Sequence, residues 1–416
     1  MKSPPSIDLH GRTYEVPREP TVVICVDGFD PEYLLQGIGA GIIPHLASFV
    51  NNGFHIMAHS CMPSFTNPNN VSIITGSPPA VHGIAGNFFL DNDTGEEKMV
   101  TDDTLLRGDT ILQMMAQRGV RVAAITAKDK LRRILSHGLQ GTGAICFSSE
   151  FAGSCTLEEH GIENVEMWLG RKAPPQYSGD LSLYVLDAGI KLLAEDRADL
   201  FYLTLSDYIQ HKHAPNSPEA NTFFKALDER VGRLVELGAV VAVTGDHGMS
   251  DKCDDPGNPN ILFLEDVLSS KWGPRSARVI CPITDPFVRH HGALGSFVRV
   301  HVKEKAHVGD MIELCKTLPQ VELALDACEA AKLFELPLDR EGDFVVVSTK
   351  NSVIGSCEIE HDLSTVKDHR LRSHGGLSEQ EIPLLLSRPP RNLGLVEKHG
   401  RWKNYDVFDL ALNWAS

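Results

Sequence analysis

Three apolar runs in this chain each end in an aspartate, and no other feature narrows the fold as far. Thr21-Val22-Val23-Ile24-Cys25-Val26 runs into Asp27, Leu200 to Leu205 runs through Ser206 into Asp207, and Ala239 to Gly245 runs into Asp246 and His247. Short, β-branched and nearly continuous apolar runs are what parallel strands need when both faces of their sheet are covered. Between them, 110–118, 181–195 and 218–237 carry apolar residues at helical spacing. Alternating strands and helices predict an α/β, doubly wound, mostly parallel sheet. Ligands in that architecture sit beyond the carboxyl ends of the strands, where all three aspartates fall. A single strand-end aspartate is ordinary, because the residue also starts turns and caps helices. Three of them, two with a histidine in reach, favour a metal site.

A chain of 416 residues exceeds one ordinary hydrophobic core. The stretch 254–368 reads differently from the rest, with strand-like 297–302, 321–324 and 344–348 and helical 309–318 and 327–333. It predicts a small α+β cap domain (254–368) inserted into a core made of 1–253 and 369–416. The C-terminal stretch from Tyr405 to Leu412 reads as a helix that packs on the core or on a second subunit of a homodimer. The formal charge of -16 argues against a nucleic-acid partner, so an anionic substrate would need locally placed cations.

Asp207 and His211 lie four residues apart, so a helical turn lets both face one point. Asp246 and His247 are adjacent at a strand end, and His374 sits in the glycine-rich Arg372-Ser373-His374-Gly375-Gly376. Nitrogen and oxygen ligands in this mixture suit zinc, and an open position on each ion would mark a catalytic site. With 18 histidines in the chain, chance pairs are expected, and His82, His290 and His291 are given no metal role.

The segment Cys61-Met62-Pro63-Ser64-Phe65-Thr66-Asn67-Pro68-Asn69-Asn70 is the most informative loop. Thr66 stands before a proline and then an apolar helical pattern, as an N-cap would. A helix N-terminus also favours anions, so a phosphoryl group beside the hydroxyl is the functional reading. A free threonine hydroxyl is a poor nucleophile unless a metal lowers its pKa. Cys61-Met62-Pro63-Ser64 begins like the sulfatase signature, but Phe65 replaces the required arginine, and that reading is set aside.

Taken in order, several motifs resemble the alkaline phosphatase superfamily in its phosphodiesterase-like branch. They are Val26-Asp27-Gly28-Phe29, the loop from Met62 to Gly76, His82-Gly83-Ile84-Ala85-Gly86-Asn87, Asp207 with His211, Asp246-His247-Gly248-Met249, and His374-Gly375. The resemblance implies two zinc ions per chain. Asp207, His211 and His374 would hold one; Asp27, Asp246, His247 and the Thr66 oxygen would hold the other. It implies that Thr66 attacks phosphorus and becomes a phosphothreonine, between ions about 3.5–4 Å apart. Within the superfamily the chain is similar to the enzymes that hydrolyse phosphonoacetate to acetate and phosphate. The Thr66 loop and the pair Lys128 and Lys130, in Thr126-Ala127-Lys128-Asp129-Lys130, carry that likeness.

Carbon–phosphorus cleavage expels a carbanion, so charge must move onto the neighbouring carboxylate, which Lys128 and Lys130 would bind. Read as alternate residues of a strand, both lysines point into one pocket. Thr66, Asn87 and His211 complete the expected contacts to a small anionic phosphonate, with Arg289 and His291 lining the approach. The alternative is a phosphodiesterase or nucleotide pyrophosphatase using the same metals and nucleophile. A non-catalytic metal-binding scaffold is a third reading, disfavoured by a complete ligand set beside Thr66. Nine cysteines without a CxxC pair, and a polar N-terminus lacking the apolar core of a signal peptide, predict a cytoplasmic protein. No apolar run reaches the length of a bilayer span, so no membrane partner is expected.

Overall fold

The computed structural model of the chain describes residues 5–285, 291–366, 369–391 and 400–415. Its centre is a seven-stranded sheet built from β1 (Thr21–Val26), β2 (Phe54–His59), β3 (Val122–Thr126), β4 (Ile145–Ser148), β5 (Leu200–Thr204), β6 (Val240–Gly245) and β7 (Glu381–Leu386). The spatial order is β2-β7-β6-β1-β5-β3-β4. The run from β6 to β4 is parallel throughout, and β7 is antiparallel to both its neighbours, β6 and β2.

Strand β1 shows why the apolar runs are continuous. Val22, Ile24 and Val26 enter a core shared with the helices Asp180–Ala194 and Pro218–Glu236. Val23 and Cys25 enter a second core with Val71, Ile73 and Ile74 of the helix Thr66–Thr75. Both faces are covered, so no polar alternation is left to read. The expected doubly wound, mostly parallel α/β sheet is therefore what forms. Strands β6, β1 and β5 are immediate neighbours, and this adjacency gathers Asp246, Asp27 and Asp207 at one edge.

Within 254–368 a second, antiparallel sheet runs in the order Ala277–Ile280, Phe297–Val302, Phe344–Ser348, Val321–Asp326. The helices Val308–Lys316 and Ala327–Phe334 belong to the same region, and their buried side chains join its core. Arg299 and Glu341 form a buried ion pair at 2.7 Å in this region, and Arg299 also donates to the Ala85 carbonyl at 3.0 Å. That bond ties the second sheet to the loop carrying Asn87. The boundary residue Asp368 lies outside the described residues.

The C-terminal stretch winds through Asn404–Asp406, Val407–Asp409 and Leu410–Trp414 as three short, differently pitched turns rather than one regular helix. Val407, Phe408 and Leu410 are buried against the main core. Among the described residues no single helix is long and apolar enough to cross a membrane. One bent pair, Pro31–Gly39 and Pro44–Asn52, passes by length and composition together, and its Leu34, Leu46 and Phe49 are buried in the core.

Candidate active site

Each strand end presents its aspartate differently. Asp27 and Asp246 follow β1 and β6 directly. Asp207 follows a short turn after β5 and stands in the N-cap position of the helix Tyr208–Lys212, which sets His211 one turn away. His374 arrives from far along the chain. The two-residue strands Ser250–Asp251 and Arg372–Ser373 pair antiparallel, which clips the loop after β6 to the loop bearing His374. The His247 and His374 rings then lie nearly parallel, with centroids 3.5 Å apart. Gly375 must be glycine here: its φ is +118°, and a Cβ would stand 2.3 Å from the Phe65 ring.

Two groups result. In one, the His211 Nε2 is 2.8 Å and the His374 Nε2 3.7 Å from Asp207 Oδ2. In the other, the His247 Nε2 is 3.2 Å from Asp27 Oδ1 and 3.8 Å from Asp246 Oδ2. Within each trio the ligand atoms lie within 4.8 Å of one another. The opposite ring nitrogen of every histidine faces a backbone carbonyl: His211 Nδ1 on Arg372 at 2.7 Å, His374 Nδ1 on Ser64 at 2.8 Å, His247 Nδ1 on Gly248 at 2.8 Å. A nitrogen facing a carbonyl must carry the proton, so in the neutral ring the Nε2 lone pair points into the cluster.

The electrostatics ask for positive charge. Burial, together with Asp207 and Asp246, pushes the Asp27 carboxyl well above its usual range, and burial raises Asp246 as well. Burial lowers His247, but Asp246 and Asp27 outweigh it and raise the imidazole to about 10. His374 is pushed well down by burial and by its two histidine neighbours. Asp27 Oδ1 is buried and receives no hydrogen bond. Buried carboxylates that raise one another's pKa, gathered with buried imidazoles, are an arrangement that a divalent cation resolves. The nitrogen and oxygen donors fit zinc in both trios.

Thr66 corrects one expectation. It is the first helical residue rather than the cap. Phe65 holds the N-cap position in extended conformation (φ -118°, ψ 160°), and no side chain caps the helix. The buried Phe65 ring, edge-on to His374 at 5.6 Å, keeps that residue extended. The Thr66 Oγ1 is therefore not engaged in capping and sits 3.5 Å from His247 Nε2.

The lysines require a second correction. Strand β3 stops at Thr126. Lys128 is the N-cap residue, and Lys130 the second residue, of the helix Asp129–Leu135. The helix wins because Asp129 pairs with Arg132 and Arg133 one turn on, while Leu131, Ile134 and Leu135 bury one face. Both lysines still line the same cavity of about 430 Å³ as Thr66, Asn87, His211 and His374. Lys128 lies over the Tyr177 ring, and burial lowers its pKa. Lys130 pairs with Asp285, a partner 155 positions away that no local pattern reveals. Asn87 is buried, with its Oδ1 receiving no hydrogen bond. His291 lines the cavity and stacks on His211 at 5.2 Å, whereas Arg289 lies outside the described residues.

The sequence profile of type I phosphodiesterases / nucleotide pyrophosphatases matches residues 21–373. Among solved structures, phosphonoacetate hydrolase from Sinorhizobium meliloti, crystallised with phosphonoacetate, is 46% identical, with all of each chain covered and a TM-score of 0.94. A pyrophosphatase/phosphodiesterase of Schizosaccharomyces pombe is 27% identical over 266 residues, which are 60% of this chain and 47% of that protein. A phosphonoacetate hydrolase of Penicillium oxalicum is 83% identical over 29 residues, 7% of this chain and 40% of that protein. The chain thus spans about half or less of the length of these last two relatives. The chain belongs to the type I phosphodiesterase / nucleotide pyrophosphatase family, in the alkaline phosphatase-like superfamily.

Proposed function

We propose that this chain hydrolyses the carbon–phosphorus bond of phosphonoacetate, giving acetate and phosphate. The observation that carries the reading is the convergence on one cavity of two lysines, Thr66, the whole Asp207, His211 and His374 trio, and Asp27 of the second trio. The 46% identity to an enzyme solved with phosphonoacetate bound supports it.

Asp207, His211 and His374 would hold one zinc ion; Asp27, Asp246, His247 and the Thr66 oxygen would hold the other. When bound, the ions supply Lewis acidity and neutralise charge on either side of phosphorus. Thr66 Oγ1 attacks phosphorus while the carbon–phosphorus bond breaks, and the electron pair leaves with the methylene carbon. That charge spreads onto the adjacent carboxylate, which Lys128 and Lys130 hold. Protonation at carbon gives acetate, and the one proton this takes up balances the one that the Thr66 hydroxyl gives up on bonding to phosphorus. Water then displaces Thr66 from phosphorus, releasing phosphate and restoring the hydroxyl. Asn87 and His211 face the phosphonyl group from the cavity wall, and Lys130 exchanges Asp285 for the substrate carboxylate.

In this reading 254–368 acts as a cap on a core of 1–253 and 369–416, excluding water from a small substrate. Ile283, Asp285 and His291, all from that stretch, line the cavity and support the assignment. A cytoplasmic setting is proposed with it, supported by nine cysteines that form no disulfide.

The family itself favours a second reading, hydrolysis of a phosphodiester by the same threonine and metals. Phosphate release from phosphonoacetate and cleavage of a nitrophenyl phosphodiester, each with and without chelator, separates the two. Chelator-sensitive release from phosphonoacetate in clear excess supports the proposal. Turnover of the diester alone would retain Thr66 and the metals and reject the substrate.

A further inference from the structure

Strand β5 breaks its own pattern, and the break leads to a group with no role so far. Tyr202 and Thr204 are polar residues two apart in a strand whose other side chains are apolar, so both point to the same face. They point at Asn70, one turn into the helix that begins at Thr66. The Tyr202 hydroxyl and the Thr204 hydroxyl each donate to Asn70 Oδ1 at 2.7 Å. Asn70 Nδ2 donates to the Thr66 carbonyl at 3.0 Å and to Asp246 Oδ2 at 3.1 Å. The reverse amide orientation would set Oδ1 against a carbonyl and a carboxylate at once, so the two hydroxyls and the two acceptors enforce one orientation.

The oxygens of Asp246 are thereby distinguished. Oδ1 accepts the Gly28 and His247 backbone N–H groups, at 3.1 and 3.0 Å. Oδ2, the oxygen near His247 Nε2, accepts the Asn70 amide. One buried carboxamide therefore ties the backbone of the proposed nucleophile to the buried carboxylate beside it.

We infer that Asn70 is a positioning residue that sets the register of Thr66 against the Asp27, Asp246 and His247 trio, with Tyr202 and Thr204 locking its orientation. The inference rests on the proposed reading that this trio holds a cation. Outer-shell partners of this kind typically contribute 10–100-fold in metal affinity or activity.

The test is zinc titration of the intact protein against a competing chelator, alongside steady-state kinetics on phosphonoacetate. Two equivalents are expected on the unsubstituted protein. Asn70→Ala should keep one equivalent at full affinity and weaken the other about 10–100-fold. At saturating zinc its kcat should remain about tenfold or more below the unsubstituted value, because the Thr66 backbone has lost its anchor. KM should change less than kcat, since Lys128 and Lys130 are untouched. If Asn70→Ala does not fold, the Tyr202→Phe/Thr204→Val pair, which retains the amide but strips its buried Oδ1 of both donors, should show the same selective weakening to a lesser extent. Two equivalents of unchanged affinity and full kcat in either folded variant would overturn the inference. Fewer than two equivalents on the unsubstituted protein would instead overturn the site reading on which it rests.

Discussion

At the sheet end of the cavity the three histidines and Asp246 are tied to backbone, whereas at the lysine end two long side chains are held mainly by other side chains. His211, His247 and His374 each anchor one ring nitrogen on a carbonyl, and Asp246 takes two backbone N–H groups. Lys130 is held by the Asp285 carboxylate, and Lys128 by the Tyr177 ring with a long 3.5 Å contact to the Gln176 carbonyl. The first end is an extension of the core, fixed before any ligand arrives. The second is assembled from a helix start and the 254–368 region, and its charges can exchange partners. Chemistry common to a family suits the first kind of construction, and substrate choice suits the second.

Removing the proposed nucleophile should break the sheet end most completely. Thr66→Ala should lower turnover of phosphonoacetate and of a nitrophenyl phosphodiester alike, by about 10⁴-fold or more, as loss of a nucleophile does elsewhere. Phosphate release and nitrophenolate absorbance read the two. His374→Ala should also suppress both substrates, and in a chelator titration it should weaken one of two zinc equivalents by more than the factor of about 10–100 that loss of an outer-shell partner costs. The lysine end should respond differently. Lys128→Ala and Lys130→Ala should each cost about 10–100-fold in kcat/KM for phosphonoacetate, the scale of a charge-assisted hydrogen bond, while sparing the diester and both zinc equivalents. Equal losses on both substrates would erase the distinction between the two ends.

The smallest effect expected is a pH dependence confined to the lysine end. Burial lowers the Lys128 pKa, and the ammonium binds carboxylate only while protonated. As pH rises through that lowered value, kcat/KM for phosphonoacetate should fall at a pH where an ordinary lysine would still be charged. Lys128→Arg should abolish that alkaline limb, because arginine stays charged. A limb unchanged in Lys128→Arg would assign it to another group.

The same contrast explains what could be read from the residues alone. Asp27, Asp207 and Asp246 are visible because a buried parallel strand ends abruptly, and the next polar residue falls at the carboxyl edge. Only three of the seven central strands stand out: β2 is half-buried, β7 is antiparallel, β3 carries two alanines among its five residues, and β4 has four residues. Lys128 and Lys130 read as strand residues because alternation over three residues does not distinguish a strand from a helix start. The Asp129 pairs with Arg132 and Arg133 were the overlooked signal. Asp285 carries no local signal, since its relation to Lys130 exists only once the 254–368 region packs on the core. Asn70 stood in plain view within the Thr66 loop, and the two-residue spacing of Tyr202 and Thr204 was the clue to its partners.

The central claim is that Thr66 takes phosphorus from carbon. Rapid acid quench of the zinc-loaded protein with phosphonoacetate, followed by peptide mass analysis, tests it in one step. A single phosphoryl group, without the carboxymethyl portion, is expected on Thr66, absent when chelator is present and absent in Thr66→Ala. An adduct that retains the carboxymethyl group, an adduct on another residue, or turnover with no adduct at any quench time would contradict it.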